Sequence, residues 1–135
     1  MKRLLYISTA RATLRPSELE ELLAKSRTAN SAADLTGLLV VGGRRFLQVL
    51  EGPDQAVTAT YERIVRDSRH FALVKLHDKE VATRSFASWA MGFEQGGVAV
   101  ESATLEEQVS AMVSPITDST LRAYFEGFAK THTSA

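Results

Sequence analysis

The stretch Arg45-Phe46-Leu47-Gln48-Val49-Leu50-Glu51-Gly52-Pro53 constrains this chain more than any other. It reads as a strand running into a turn. Phe46, Gln48 and Leu50 share one face and alternate with Arg45, Leu47 and Val49. Both faces are mostly apolar, the pattern of a central strand covered on both sides. Gln48 is then an amide in the middle of a buried strand. Each unsatisfied buried polar group costs on the order of 1–3 kcal/mol, so the amide needs partners, and their identity is the functional question.

A length of 135 residues fits one domain, and 44% apolar residues are enough for a core. Formal net charge is zero, so there is no global electrostatic footprint for nucleic acid or an anionic membrane. No apolar run approaches the ~20 residues that span a bilayer. The N-terminus is basic then apolar, but Ser8 and Thr9 interrupt it too early for a signal peptide, and a first strand is the better reading. The absence of cysteine excludes disulfides, thiolate metal sites and cysteine nucleophiles, and makes the cytoplasm the default compartment.

Along the chain, Leu4, Tyr6 and Ser8 fall on one face of the first strand, and Leu5 and Ile7 on the other. Pro16 and Ser17 open a helix, with a capping box expected between Ser17 and Glu20. Leu19, Leu22, Leu23 and Ser26 form its stripe, which Asn30 continues three turns on. Leu35 to Val41 is a second strand, and Gly42-Gly43 predicts a hairpin into the Gln48 strand. Asp54 is the expected N-cap of a second helix striped by Val57, Tyr61, Ile64 and Val65, with Arg63 and Asp67 four apart beside it. Phe71 to His77 is a fourth strand, Lys79 to Ser85 a loop, and Phe86 to Phe93 a fifth strand with Trp89, Met91 and Phe93 on one face. This order predicts an α+β, ferredoxin-like βαββαββ sheet with two helices on one face. Gln95-Gly96-Gly97 reads as a flexible joint. Thr104 and Glu107 suggest another capping box, and Pro115 separates two C-terminal helices. Leu121, Tyr124, Phe125 and Phe128 form a stripe on the second of these, suited to the bare sheet face or to a dimer interface.

Catalytic constellations are weak. His70, His77 and His132 have no metal-ligand spacing, and no Walker-type loop, GxSxG or dinucleotide GxGxxG is present. Tyr6, Asn30 and Gln48 carry more information. If the first and third strands are neighbours, Tyr6 and Gln48 can touch. Each has an ordinary explanation: a core tyrosine bonded to backbone, a helix C-cap, a structural amide satisfied by backbone. A phenol and two amides converging beneath one helix suggest instead a planar heteroaromatic ligand whose edge alternates donors and acceptors.

At this point the sequence resembles the BLUF family of blue-light sensors that use flavin adenine dinucleotide. The matching segments are Leu5-Tyr6-Ile7-Ser8, Leu35-Thr36-Gly37-Leu38-Leu39, Arg45 to Gly52, and Ser88-Trp89-Ala90-Met91-Gly92-Phe93. The resemblance implies non-covalent FAD, with Tyr6 as the redox-active tyrosine and Gln48 between it and the flavin N5 and O4 atoms. It places Asn30 on the pyrimidine edge, Leu22 and Ile64 sandwiching the ring, and Arg63 and Asp67 at the flavin's edge and side chain. It also implies that Ser8 lies near Gln48 and Trp89, and that Trp89 and Met91 lie on the strand whose arrangement changes on signalling. Ala29 departs from the pattern, since many relatives carry a second polar residue there. The resemblance divides the chain into a flavin-binding domain, 1–95, and a C-terminal helical extension, 96–135, whose apolar stripe is expected on the other sheet face. It implies a photoreceptor and not an enzyme. The expected partners are a separate downstream protein and further copies of the chain, with neither nucleic acid nor membrane. Two alternatives are an acylphosphatase-like enzyme using Asn30 and an arginine, Arg11 or Arg15, on a phosphate, and a flavin-free regulatory or dimerisation module.

Overall fold

The computed structural model of the protein describes residues 1–12, 15–86, 92–95, 105–114, 116 and 118–132. In chain order the elements are β1 (Lys2–Ala10), α1 (Pro16–Ala32), β2 (Thr36–Gly42), β3 (Arg45–Gly52), α2 (Asp54–Arg66), β4 (His70–Glu80), β5 (Gly92–Gln95), α3 (Leu105–Val113) and α4 (Ser119–His132). The strands form one sheet in the order β4-β1-β3-β2-β5, antiparallel except for the β2–β5 pair. This is the α+β, ferredoxin-like arrangement that the alternation of elements predicts.

β3 is central, and every residue from Phe46 to Gly52 is buried. On one face Leu4, Tyr6, Leu39, Phe46 and Leu50 pack against Leu19 and Leu23 of α1 and Val57 of α2. On the other, Leu5, Leu38, Val40, Leu47 and Val49 pack against Val109 and Val113 of α3 and Leu121, Phe125 and Phe128 of α4. Burying each such side chain contributes about 1.5–3 kcal/mol, which is why the C-terminal helices close over the second face. The stripe on α4 packs against the chain's own sheet, the first of its two expected places. Tyr124 is not part of it: it is 37% exposed, and Ala129 takes its place in the core. Among the described residues no helix is long and apolar enough to cross a membrane.

Several local expectations need correction. The box at the start of α1 joins Arg15 and Glu18, not Ser17 and Glu20: the Arg15 backbone N–H donates to Glu18 Oε1 at 3.0 Å, and Arg15 Nε donates to the same oxygen. Pro16 at N1 selects this start, since its missing N–H costs nothing there. The hairpin loop is Gly43-Arg44, because Gly42 still pairs with Arg45. Gly43, with φ of 60°, takes the left-handed conformation at the first loop position. Asp54 is the first residue of α2, and Pro53 occupies the N-cap. Val65 is 49% exposed, and Thr60 is buried in its stead. β4 runs on to Glu80, into the expected loop, and β5, described from Gly92, runs two residues past the predicted end at Phe93, while 87–91 lie outside the described residues. Phe86 is fully buried in a bend, not a strand. The Thr104 capping box, the Gly96-Gly97 joint, Trp89 and Met91 lie outside the described residues.

The edge strand β4 breaks register twice against β1, between Leu5 and Tyr6 and between Ile7 and Thr9, so bulges flank Tyr6. Ala72 at the second has φ of 53°. Such bulges re-aim side chains and make an edge a poor template for strand addition.

Gly37 shows how tightly β2 and β3 approach. A Cβ there would sit 2.0 Å from the Val49 carbonyl oxygen, a backbone atom that cannot move without breaking the ladder. Gly37→Ala is expected to destabilise the fold by about 3 kcal/mol, the upper range for overpacking, read as a lowered urea midpoint at unchanged m-value.

Candidate functional site

The β1–β3 register sets Tyr6 directly opposite Gln48. Tyr6 is 2% exposed, and its hydroxyl donates to Gln48 Oε1. The partner of the phenol is thus the Gln48 amide and not backbone. The Tyr61 ring meets Tyr6 edge-on, with centroids 5.3 Å apart and planes at 62°. Burial first, and the neighbouring Tyr61 second, push the Tyr6 phenol far above its ordinary pKa. Tyr6 is therefore a neutral hydrogen-bond donor. With Oε1 turned to Tyr6, the NH2 of Gln48 lies on the amide's other arm.

Asn30 reaches the same place from the last turn of α1. It is buried at 3% exposure, and the helix continues past it to Ala32 with Ala33 as the cap. Its carbonyl accepts the Leu35 N–H at 2.8 Å while Ser31 accepts the Asp34 N–H at 3.4 Å. Asp34, φ 59°, is the left-handed residue between them. This is a Schellman ending, and it holds Asn30 in place while turning the chain into β2.

Between α1, α2 and the sheet lies a cavity of about 260 Å³. Tyr6, Leu39, Phe46 and Gln48 form its floor. Leu22, Lys25, Ser26, Ala29 and Asn30 line it from α1; Thr60, Arg63 and Ile64 from α2; and Asp67, Arg69 and His70 from the segment that follows. A hollow of about 110 Å³ beside it shares Leu22, Lys25, Phe46, Arg69 and His70. Two apolar walls, Leu22 and Ile64, face a site with amides at its edge.

The charged lining is three cations, Lys25, Arg63 and Arg69, against one carboxylate, Asp67. Asp67 pairs with Arg69, with Nη2 2.5 Å from Oδ2 and Nε 3.0 Å from both carboxylate oxygens. Hydrogen bonding from the Arg69 guanidinium pulls the Asp67 carboxyl down to about 2. Burial pushes the His70 imidazole below its ordinary value, so it is neutral at pH 7. Its Nδ1 is buried with no partner among the described residues, and its ring meets Phe46 edge-on at 5.5 Å. An orphaned ring nitrogen beside a cavity suits a polar ligand.

Of the residues singled out in the sequence, Tyr6, Leu22, Asn30, Gln48, Arg63, Ile64 and Asp67 all line this cavity. Ser8 is buried on the same sheet face, two residues beyond Tyr6, but is not in the lining, and its Oγ has no partner among the described residues. Ala29 lines the cavity as a methyl group. Arg11 and Arg15 do not: Arg11 Nε donates to the Ser68 carbonyl at 2.7 Å and its guanidinium lies over Phe71, while Arg15 holds Glu18. Sequence reasoning missed Arg69, which follows the end of α2 where no periodicity marks it, and His70, which opens β4 one residue before the predicted start. It also missed Thr60, which stands one turn before Ile64 on the same helix face and was legible in principle.

Residues 1–92 match the sequence profile of the BLUF family, described as sensors of blue-light using FAD. Similar curated proteins include the blue light- and temperature-regulated antirepressor BluF of Escherichia coli, 33% identical over 88 residues, 65% of this chain and 22% of that one. Another is the photoactivated adenylate cyclase subunit beta-like protein FB of Euglena gracilis, 35% identical over 92 residues, 65% of this chain and 10% of that one. The chain thus spans less than a quarter of the length of these relatives. Among solved structures, a bacterial light-regulated adenylyl cyclase aligns over 97% of this chain and 34% of its own at 26% identity and a TM-score of 0.70. The dark-state structure of BlrB, a BLUF protein, aligns over 96% of both chains at 21% identity and a TM-score of 0.72, a likeness of fold.

The Asp67–Arg69 pair is directly testable. Since the folded value lies near 2 and the ordinary value near 3.9, the pair's stabilisation is present above pH ~4 and is lost as pH falls through about 2. A carboxyl-detected NMR titration is expected to place Asp67 near 2, and Arg69→Ala to return it toward ~3.9.

Proposed function

The chain belongs to the BLUF family, sensors of blue light using FAD, and from that premise we propose that its α1–α2 cavity binds FAD non-covalently and registers light as a rearranged Tyr6–Gln48 hydrogen bond. The observation that carries this reading is the Tyr6 hydroxyl donating to Gln48 Oε1 in the floor of a cavity walled by two helices. When bound, FAD supplies a ring that absorbs blue light and whose excited state is a strong oxidant.

The residues present fit such a group. Leu22 and Ile64 offer apolar surfaces for the two faces of a planar ring. Asn30 and Gln48 offer amides that match donors and acceptors along its edge. A volume of about 260 Å³ suits a ring system more than an entire dinucleotide, given ligand pockets of roughly 300–1,000 Å³. The excess of Lys25, Arg63 and Arg69 over Asp67 favours the anionic phosphates of the remainder.

Tyr6 is the one tyrosine in the described lining, which contains no tryptophan or methionine, and we assign it the donor role. Its proton is held at Oη against Gln48 Oε1, so one hydrogen bond separates it from the amide. Gln48 has two arms that differ in polarity but hardly in shape. Turning the amide over turns Tyr6's acceptor into a donor at little packing cost, which makes the site bistable without any covalent change. Residues 1–95 then act as the sensor. Residues 96–135 act as the extension through which a separate protein reads its state.

Purified protein is expected to be yellow, with flavin bands that shift slightly red under blue light and recover in darkness. Protein that refuses added FAD defeats the reading. Gln48→Leu keeps the volume and the ring walls, so FAD is retained and the red shift is lost. In Tyr6→Phe, loss of the hydroxyl is expected to abolish the normal photoproduct and raise flavin fluorescence. A full red shift in Gln48→Leu removes the amide from the mechanism.

A further inference from the structure

Gln48 faces the cavity, whereas α3 and α4 lie across the sheet from it. Glu51, three residues further along β3, points to that second side. Its side chain is fully buried. Arg3, its cross-strand partner, donates from Nε to Oε2 at 2.8 Å. Two consecutive backbone amides of the segment after β4 also converge on it: Ser85 N–H at 2.9 Å and Phe86 N–H at 2.8 Å. Arg3 Nη2 donates to Ser85 Oγ at 2.6 Å, and Nη1 lies 3.6 Å from Asp118 Oδ2. Asp118 caps α4 by accepting the Thr120 and Leu121 N–H groups at 3.0 and 3.1 Å. Next to Ser85, Arg84 donates to the Asp34 carbonyl at 2.7 Å, Thr36 Oγ1 at 3.0 Å and the Glu51 carbonyl at 3.2 Å. Phe86 then inserts its ring 6.1 Å from that of Phe125 on α4.

We propose that Glu51 is a positioning residue that couples the Gln48 strand to the C-terminal helices, by clasping the Ser85 and Phe86 amides and, through Arg3, the cap of α4. This rests on the light-sensing reading of the cavity. Buried ion pairs replaced by apolar residues are often neutral or more stable, so packing stability alone does not call for a carboxylate here. The clasp has the right form for a coupling element. One carboxylate holds two neighbouring amides and a guanidinium, and hydrogen bonds weaken steeply with misalignment. A displacement of β3 at Glu51 therefore loosens all of them together, and with them both Phe86 and Asp118. Arg84 ties the same segment to the corner that fixes Asn30, so both cavity amides sit on elements anchored to residues 84–86.

The test compares wild type, Glu51→Gln and Asp118→Asn as full chains loaded with FAD, by absorption and by amide hydrogen exchange in dark and light. Asparagine still caps a helix but gives up the charge facing Arg3. Both variants are expected to keep the wild-type red shift, because the cavity is on the other sheet face. In Glu51→Gln, dark exchange at Ser85 and Phe86 rises about tenfold as charge-assisted bonds are lost. In both variants the light-minus-dark difference over residues 119–131 falls below half its wild-type size. A merely structural Glu51 would raise exchange equally in dark and light and leave that difference intact. A wild-type-sized difference in either variant overturns the coupling; so does a wild type with a full red shift and no difference in α4. If Glu51→Gln does not fold, Asp118→Asn decides alone. Wild-type protein that takes up no FAD sinks the light-sensing reading and the coupling with it, while exchange at Ser85 and Phe86 in Glu51→Gln still reports whether the carboxylate holds that segment.

Discussion

The register between β1 and β3 is the constraint on which the rest of the molecule depends. In one antiparallel ladder, Tyr6 stands opposite Gln48 and Arg3 opposite Glu51. Because side chains alternate, the first pair is delivered to the α1–α2 side and the second to the α3–α4 side. A slip of one residue would send every side chain to the wrong face, dissolving the phenol–amide bond and the buried ion pair at once. Two apolar faces hold the register, and the two-residue Gly43-Arg44 loop fixes where the neighbouring β2–β3 pairing begins.

A polar cavity is costly in a domain of this size, and the local structure shows how it is supported. α1 does not fray where it meets the site; it closes in a Schellman ending on the Asn30 carbonyl. α2 is followed at once by Asp67 and Arg69, whose ion pair stiffens the exit. The bulges fall on the edge strand β4, on either side of its pairing with Tyr6, leaving the β1–β3 ladder regular. The irregularity sits where it costs fewest buried contacts.

The fold and most of the cavity were legible in the sequence. Alternation in Arg45 to Gly52 and in Leu4 to Ser8, with helical stripes between, gives the order of elements and the faces of Tyr6 and Gln48. The pairing of β1 with β3 follows from the ferredoxin-like fold, and Leu22, Arg63, Ile64 and Asp67 from the family resemblance. Boundaries were read less well because several residues can cap: Ser17 and Asp54 are good N-cap types, yet Pro16 and Pro53 decide where each helix starts. Arg69 escaped because it follows a helix end, where neither period applies, and His70 because it opens β4 one residue before the predicted Phe71 start. The Glu51 clasp escaped for another reason. A glutamate in a strand signals nothing about burial until its partners are known, and two of those are backbone amides more than thirty residues away.

The depth of the Tyr6 phenol has a consequence for the kind of message this cavity can send. Both it and the Gln48 amide are uncharged, and burial favours the neutral phenol. A hydrogen bond exchanged between two such groups leaves the charge of the molecule as it was. On the proposed reading no net charge moves, and only the reversed dipole of one amide alters the field on the far side of the sheet. A dipole's field falls off faster with distance than a charge's, so the proposed coupling across the sheet rests chiefly on displacement, carried by covalent strand and close-packed contact.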